Sequence, residues 1–141
     1  MVLEIFIPGI PTPKQSVRFD FKNKRTYQPA KVEQKAHSMA WIIKEQLPYD
    51  FTPFTGPVKI LLLHYIFPPL KSFSKKKLKA IQEGETIYKT TKPDITDNLA
   101  KMLFDCMEGF VYLNDSQVCS MDRVSKYYGM IPGIKLVIQG E

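Results

Sequence analysis

The run Pro57-Val58-Lys59-Ile60-Leu61-Leu62-Leu63-His64-Tyr65-Ile66-Phe67 decides the fold. It is the most hydrophobic stretch of the chain, rich in β-branched and aromatic residues and bounded by prolines. A run of that length and composition predicts a central strand, buried on both faces. Upstream, residues 2–7 read as a first strand ended by Pro8-Gly9-Ile10-Pro11-Thr12-Pro13. Residues from there to Pro29 read as a long basic loop or loose hairpin, a length that in a small domain usually serves function. Val32, Ala36, Met39, Ala40, Ile43 and Leu47 recur at helical spacing, so a helix is expected from about 30 to 47.

Downstream, residues 74–83 predict a short basic helix capped by Ser74, and a polar linker follows over 84–93. A second amphipathic helix is expected over 95–108, with Leu99, Met102, Leu103 and Cys106 on its core face and Gly109 as its stop. A short strand at 110–113, a turn at Asn114-Asp115 and strands at 117–128 and 133–139 complete the chain. The order predicts one α+β domain over 1–141, with a mixed sheet of about four strands packed with two to three helices.

Composition narrows the function. At 141 residues and 44% hydrophobic content the chain is a folded single domain, not a disordered one. Its apolar runs fall far short of the roughly 18–20 residues that cross a bilayer, and no signal peptide is visible, so a cytoplasmic location is expected. Cys106 and Cys119 belong to no zinc pattern and read as reduced thiols.

The net charge of +6 is unevenly spread. Residues 11–37 carry Lys14, Arg18, Lys22, Lys24, Arg25, Lys31 and Lys35 against Asp20 and Glu33, and residues 71–79 carry five lysines and no acid. Residues 94–122 reverse the sign, with Asp94, Asp97, Asp105, Glu108, Asp115 and Asp122 against Lys101 alone. Basic flanks around an acidic centre suit a surface that captures a polyanion and presents it to bound cations. Lys14, Arg18, Lys22, Lys24 and Arg25 are the first candidate phosphate contacts, and Lys75, Lys76 and Lys77 the second. Phe73 reads as a buried aromatic, with stacking on an exposed base as the alternative.

Each acidic residue also has an ordinary explanation. Asp94 suits a helix N-cap, Asp97 the positive end of the helix dipole, Lys101 an i,i+4 pair with Asp97 or Asp105, and Asp115 a tight turn. Jointly they place three carboxylates and an ammonium where a hard cation such as Mg²⁺ or Mn²⁺ could be held against a phosphodiester, with Lys101 stabilising developing charge. Asp105 and Asp122 stay outside that catalytic set. A Pro-Asp…acidic-x-Lys nuclease design is set aside, because no acidic-x-Lys triplet follows Asp94 at a strand-like site.

Lys92-Pro93-Asp94, then Asp97-Asn98-Leu99-Ala100-Lys101, an amphipathic helix ending Asp105-Cys106-Met107-Glu108-Gly109, and Val111-Tyr112…Asp115-Ser116-Gln117-Val118 resemble the RusA-type Holliday-junction resolvases, common in phages and prophages. Pro8–Gln15, Arg18 and Tyr27-Gln28-Pro29 also fit that family's opening segment. The resemblance implies a small homodimeric α+β endodeoxyribonuclease of DNA recombination and repair, which nicks four-way DNA junctions in symmetric pairs with Mg²⁺. By the same resemblance Asp94, Asp97 and Asp115 are metal-binding and catalytic carboxylates and Lys101 is the catalytic lysine. Two departures stand out. Ile95 and Thr96 separate Asp94 from Asp97, where one residue is usual in the family; inside a helix the extra residue would turn Asp94 by about 100°, so Asp94 must lie on the preceding loop. Asn114 stands where a further aspartate is common. The competing readings are a non-catalytic basic nucleic-acid-binding module and a phage assembly protein.

Overall fold

Strand β4 (Val58–Phe67) runs through the middle of the molecule, hydrogen-bonded on both sides. The structure, a computed structural model, describes residues 1–13, 18–20, 25–27 and 30–141, with side chains described over 1–13 and 34–141. On one side β4 pairs antiparallel with β7 (Gly133–Gly140), which pairs antiparallel in turn with β1 (Val2–Pro8). On its other side β4 pairs parallel with β5 (Val118–Met121) and then β6 (Val124–Tyr128), end to end along one edge. The main sheet is therefore mixed, with five strands. A separate hairpin joins β2 (Arg18–Asp20) to β3 (Arg25–Tyr27). The helices are α1 (Ala30–Glu45), α2 (Lys75–Gln82) and α3 (Ala100–Met107). The α+β class and the mixed sheet are as expected.

Three strand details differ from the expectation. Strand β4 is buried on one face, through Val58, Ile60, Leu63, Tyr65 and Phe67, while Leu62, His64 and Ile66 are half-buried on the other and Lys59 is exposed. Antiparallel pairing with β7 allows one face to stay open. A bulge between Ile60 and Leu62 inserts one residue and keeps Ile60 and Leu63 on the same side. The 117–128 run divides into β5 and β6 at Asp122-Arg123, where Arg123 adopts φ 50. Residues 110–113 form a turn; within it Tyr112 makes isolated bridges to Phe54 and Glu108.

The covered face of the sheet shares one core with the helices. Leu3, Ile5 and Ile7 of β1 alternate inward and meet Ile134, Leu136 and Ile138 of β7, with Met39 and Ile43 of α1 above them. Leu99, Met102, Leu103, Cys106 and Met107 supply the face of α3. The Cys106 thiol donates to the carbonyl of Ala36 at 3.5 Å, joining α3 to α1. After α1, the Gln46 side chain accepts from the Phe6 N–H at 2.9 Å and donates to the Phe6 carbonyl at 2.7 Å, which occupies the edge of β1 as a neighbouring strand would.

Tyr65 is fully buried and its hydroxyl has no hydrogen-bond partner among the described residues. Burial alone raises its pKa, so it stays neutral. An orphaned buried hydroxyl carries an uncompensated desolvation cost. Tyr65→Phe is therefore expected to leave stability unchanged or raise it by about 1 kcal/mol, read from the urea unfolding midpoint. A loss of about 1 kcal/mol or more would show that the oxygen makes a favourable contact.

Candidate active site

The acidic motif is carried on a segment laid along the outer edge of β6. Tyr88 bridges Tyr127, the Lys89 N–H donates to the Lys126 carbonyl at 3.1 Å, and the Tyr128 N–H donates to the Ile87 carbonyl at 3.0 Å. The chain then reaches Asp94, which has extended backbone (φ −84, ψ 134) and precedes a π turn over Ile95–Leu99. Asp94 thus lies on the preceding segment, as the motif requires. The Leu99 N–H donates to the Asp94 carbonyl at 3.1 Å, five residues back. A π turn holds one residue more than an α turn, so the added residue between Asp94 and Asp97 is absorbed before α3 begins.

The ordinary explanations are realised only in part: Asp97 does stand in the first turn of the π segment, where the helix dipole favours it. Asp94 occupies the N-cap position but makes no side-chain cap. Among the described residues Asp97 and Lys101 form no ion pair with each other within 4.0 Å. Asp94, Asp97 and Lys101 are all exposed at the head of α3, while Leu99, Met102 and Leu103 bury the opposite side. The apolar face thus sets the position of the helix, with Asp94, Asp97 and Lys101 on its exposed side.

Asp115 opens a single 3-10 turn, Asp115–Gln117, beyond the other end of α3. Gly109, at φ 87, stops the helix and turns the chain. Tyr112 then drops into the core and its hydroxyl donates to the Phe104 carbonyl at 2.7 Å. Gln117 secures the turn with four bonds. Its Oε1 accepts from the N–H groups of Leu113 (2.9 Å) and Asn114 (2.8 Å), and its Nε2 donates to the carbonyls of Phe54 (2.8 Å) and Gly56 (3.0 Å). Asn114 Oδ1 accepts from the Ser116 N–H at 2.9 Å, completing a capping box. The amide at the aspartate-rich family position is thus engaged in holding the turn.

Glu108 was outside the expected set, yet its Oε1 accepts from the Asp115 N–H at 3.2 Å. Burial raises the Tyr112 pKa, and the negative charges of Asp115, Glu108 and Asp105 raise it further. Glu108 is therefore the carboxylate that contacts the Asp115 turn directly. Sequence spacing hinted at this only through the motif itself, since Glu108 and Gln117 act by way of backbone groups.

Among the described residues no three His, Cys, Asp or Glu side chains are gathered closely enough to hold a metal ion between them. Asp94, Asp97 and Asp115 do not form such a cage. Their donor chemistry still suits Mg²⁺, which usually takes one or two carboxylates and fills its octahedron with water and substrate phosphate.

The basic candidates divide. Lys14, Lys22 and Lys24 lie outside the described residues. Arg18 and Arg25 stand at the ends of the β2–β3 register, their side chains outside the described set. Lys75, Lys76 and Lys77 form the exposed first turn of α2, whose Ser74 Oγ accepts from the Lys77 N–H at 3.1 Å. That turn contains no acid. Cations at the positive end of a helix are unfavourable by roughly 0.3–1 kcal/mol each, a cost that an anionic partner would relieve. Phe73 is half-buried against the core, packed edge-on against Tyr128 at 4.8 Å and under the Lys77 ammonium at 4.1 Å, so its ring is engaged within the protein but not fully enclosed.

The structure is thus a small α+β domain with an exposed acidic helix head and a basic second helix. The family model described as Endodeoxyribonuclease RusA matches residues 8–139, and the chain belongs to that family of endodeoxyribonucleases. It is also 29% identical over 140 residues to the uncharacterised protein YqaN of Bacillus subtilis (strain 168), covering 97% of this chain and 95% of that one. No helix among the described residues is long and apolar enough to cross a membrane.

Gln117→Ala would strand two N–H groups and two carbonyls around the Asp115 turn. We expect a stability loss of about 2 kcal/mol in urea unfolding; a wild-type midpoint would show that water replaces the amide at no cost.

Proposed function

We propose that this protein is a Mg²⁺-dependent endodeoxyribonuclease that resolves four-way (Holliday) DNA junctions by paired symmetric nicks, acting as a homodimer in the cytoplasm during recombination and repair. The observation that carries the reading is the exposed group at the head of α3. In a chain of this family, Asp94 and Asp97 are neither capping nor paired with Lys101, so their charge is available to a ligand.

Asp94 and Asp97 would hold the ion at the head of α3, with water and substrate phosphate as its remaining ligands and Mn²⁺ as an alternative to Mg²⁺; Asp115, which the motif alone adds to the set, lies beyond the other end of that helix. When bound, the metal supplies Lewis acidity toward a phosphate oxygen and lowers the pKa of an attacking water. Lys101, one helical turn beyond Asp97, donates to the phosphate oxygens as negative charge builds on them. Lys75, Lys76 and Lys77 grip backbone phosphates from α2, together with the basic segment that includes Lys14, Arg18, Lys22, Lys24 and Arg25. Phosphate contacts of this kind set register on the DNA without reading sequence. A two-fold dimer on a branched substrate with two-fold symmetry accounts for paired cuts.

Two outcomes are expected. Asp97→Asn should lower Mg²⁺-supported nicking of a synthetic four-way junction by about 100-fold or more, while junction binding in Ca²⁺ stays at the wild-type level in a gel-shift titration. Equal nicking by both proteins would remove Asp97 from the reaction, and absence of nicking by the wild type would favour a binding module. Replacing Lys75, Lys76 and Lys77 with alanine should also flatten the dependence of log affinity on log salt by about 3. An unchanged slope would place α2 off the DNA.

A further inference from the structure

Lys126 lies on β6 opposite Tyr65 of β4, on the covered face of the sheet. Its Nζ donates to the Thr91 carbonyl at 2.6 Å and to the Pro93 carbonyl at 2.7 Å. An ammonium has three donors and no acceptor, and no carboxylate pairs with this one among the described residues. A half-buried charge has thus been committed to two main-chain oxygens of the segment that ends at Asp94.

Two further contacts make the junction rigid. The Lys126 carbonyl accepts from the Lys89 N–H, and the Lys89 ammonium donates to Thr91 Oγ1 at 2.8 Å. The Lys126 head therefore holds the Thr91–Lys92 and Pro93–Asp94 peptide groups, the second of which leads directly into Asp94. The next residue after Pro93 is Asp94, whose own carbonyl accepts the bond that opens the π turn. With its backbone held on both sides, Asp94 has little freedom left except its own side-chain rotation.

We propose that Lys126 is a positioning residue for Asp94. It holds the Thr91–Pro93 segment so that the Asp94 carboxylate is presented beside Asp97 at the head of α3, ready for a divalent cation. This rests on the metal-dependent reading above but adds a residue from a different strand, one with no place in the acidic motif. Partners that orient a carboxylate without touching the metal commonly govern affinity for the ion.

The test compares Lys126→Met, which keeps the aliphatic stem, with Lys126→Arg, which keeps two or more donors. Mn²⁺ binding is titrated by electron paramagnetic resonance for the protein alone and with four-way junction DNA, beside the Mg²⁺ dependence of nicking and thermal unfolding. Lys126→Met is expected to bind Mn²⁺ about 10-fold or more weakly, to require correspondingly more Mg²⁺ for half-maximal nicking, and to approach the wild-type rate at saturating metal. Lys126→Arg is expected to recover most of the affinity. Wild-type Mn²⁺ affinity in Lys126→Met overturns the proposal, as does a rate defect that neither extra metal nor arginine repairs. If Lys126→Met does not fold, Lys126→Gln replaces it, and unchanged affinity there overturns the proposal equally. A wild type whose Mn²⁺ affinity depends on Lys126 but which does not nick keeps the positioning role and removes the nuclease reading. A wild type that nicks with metal affinity independent of Lys126 does the reverse.

Discussion

The two-sided hydrogen bonding of β4 is the constraint on which the molecule depends. A ten-residue strand paired on both edges has nearly all its backbone groups satisfied, so its covered face can be fully apolar. Antiparallel pairing with β7 and parallel pairing with β5 and β6 give a sheet whose helices gather on one face. That asymmetry fixes where α3 lies, and α3 separates the two ends of the candidate site. Loss of β4 packing would therefore displace Asp97 and Asp115 together.

The acidic residues themselves contribute little to the fold. They are exposed, and their placement comes from contacts made elsewhere: the apolar face of α3, the buried Tyr112, the four bonds of Gln117, the Glu108 carboxylate on the Asp115 N–H, and the Lys126 ammonium behind Asp94. A functional group that is free to bind a ligand has to be oriented by neighbours that are not free. The division also explains how one extra residue near Asp94 is tolerated, since the π turn confines it between a tethered segment and a buried helix.

Much of this was readable from residue order. The apolar run at 57–67, the helical spacing through α1, the Ser74 cap and the Gly109 stop all follow from local chemistry that a sequence displays directly. The one-sided burial of β4 was not readable, because it depends on which face the helices choose. The break between β5 and β6 turns on a single residue, Arg123, with positive φ, which carries no glycine to announce it. The roles of Gln117, Glu108 and Lys126 were hidden for a related reason. Each acts on backbone atoms many residues away, and backbone atoms leave no signature in composition or spacing. Asn114 was read against a family aspartate, yet its amide oxygen serves the turn itself.

The most direct measurement is anomalous diffraction from crystals of the protein bound to a four-way junction in Mn²⁺. The account predicts an ion coordinated by the Asp97 carboxylate, with Asp94 and a DNA phosphate oxygen completing its protein and substrate contacts. Anomalous density confined to other residues, with Asp97 left in solvent beside bound DNA, would contradict it.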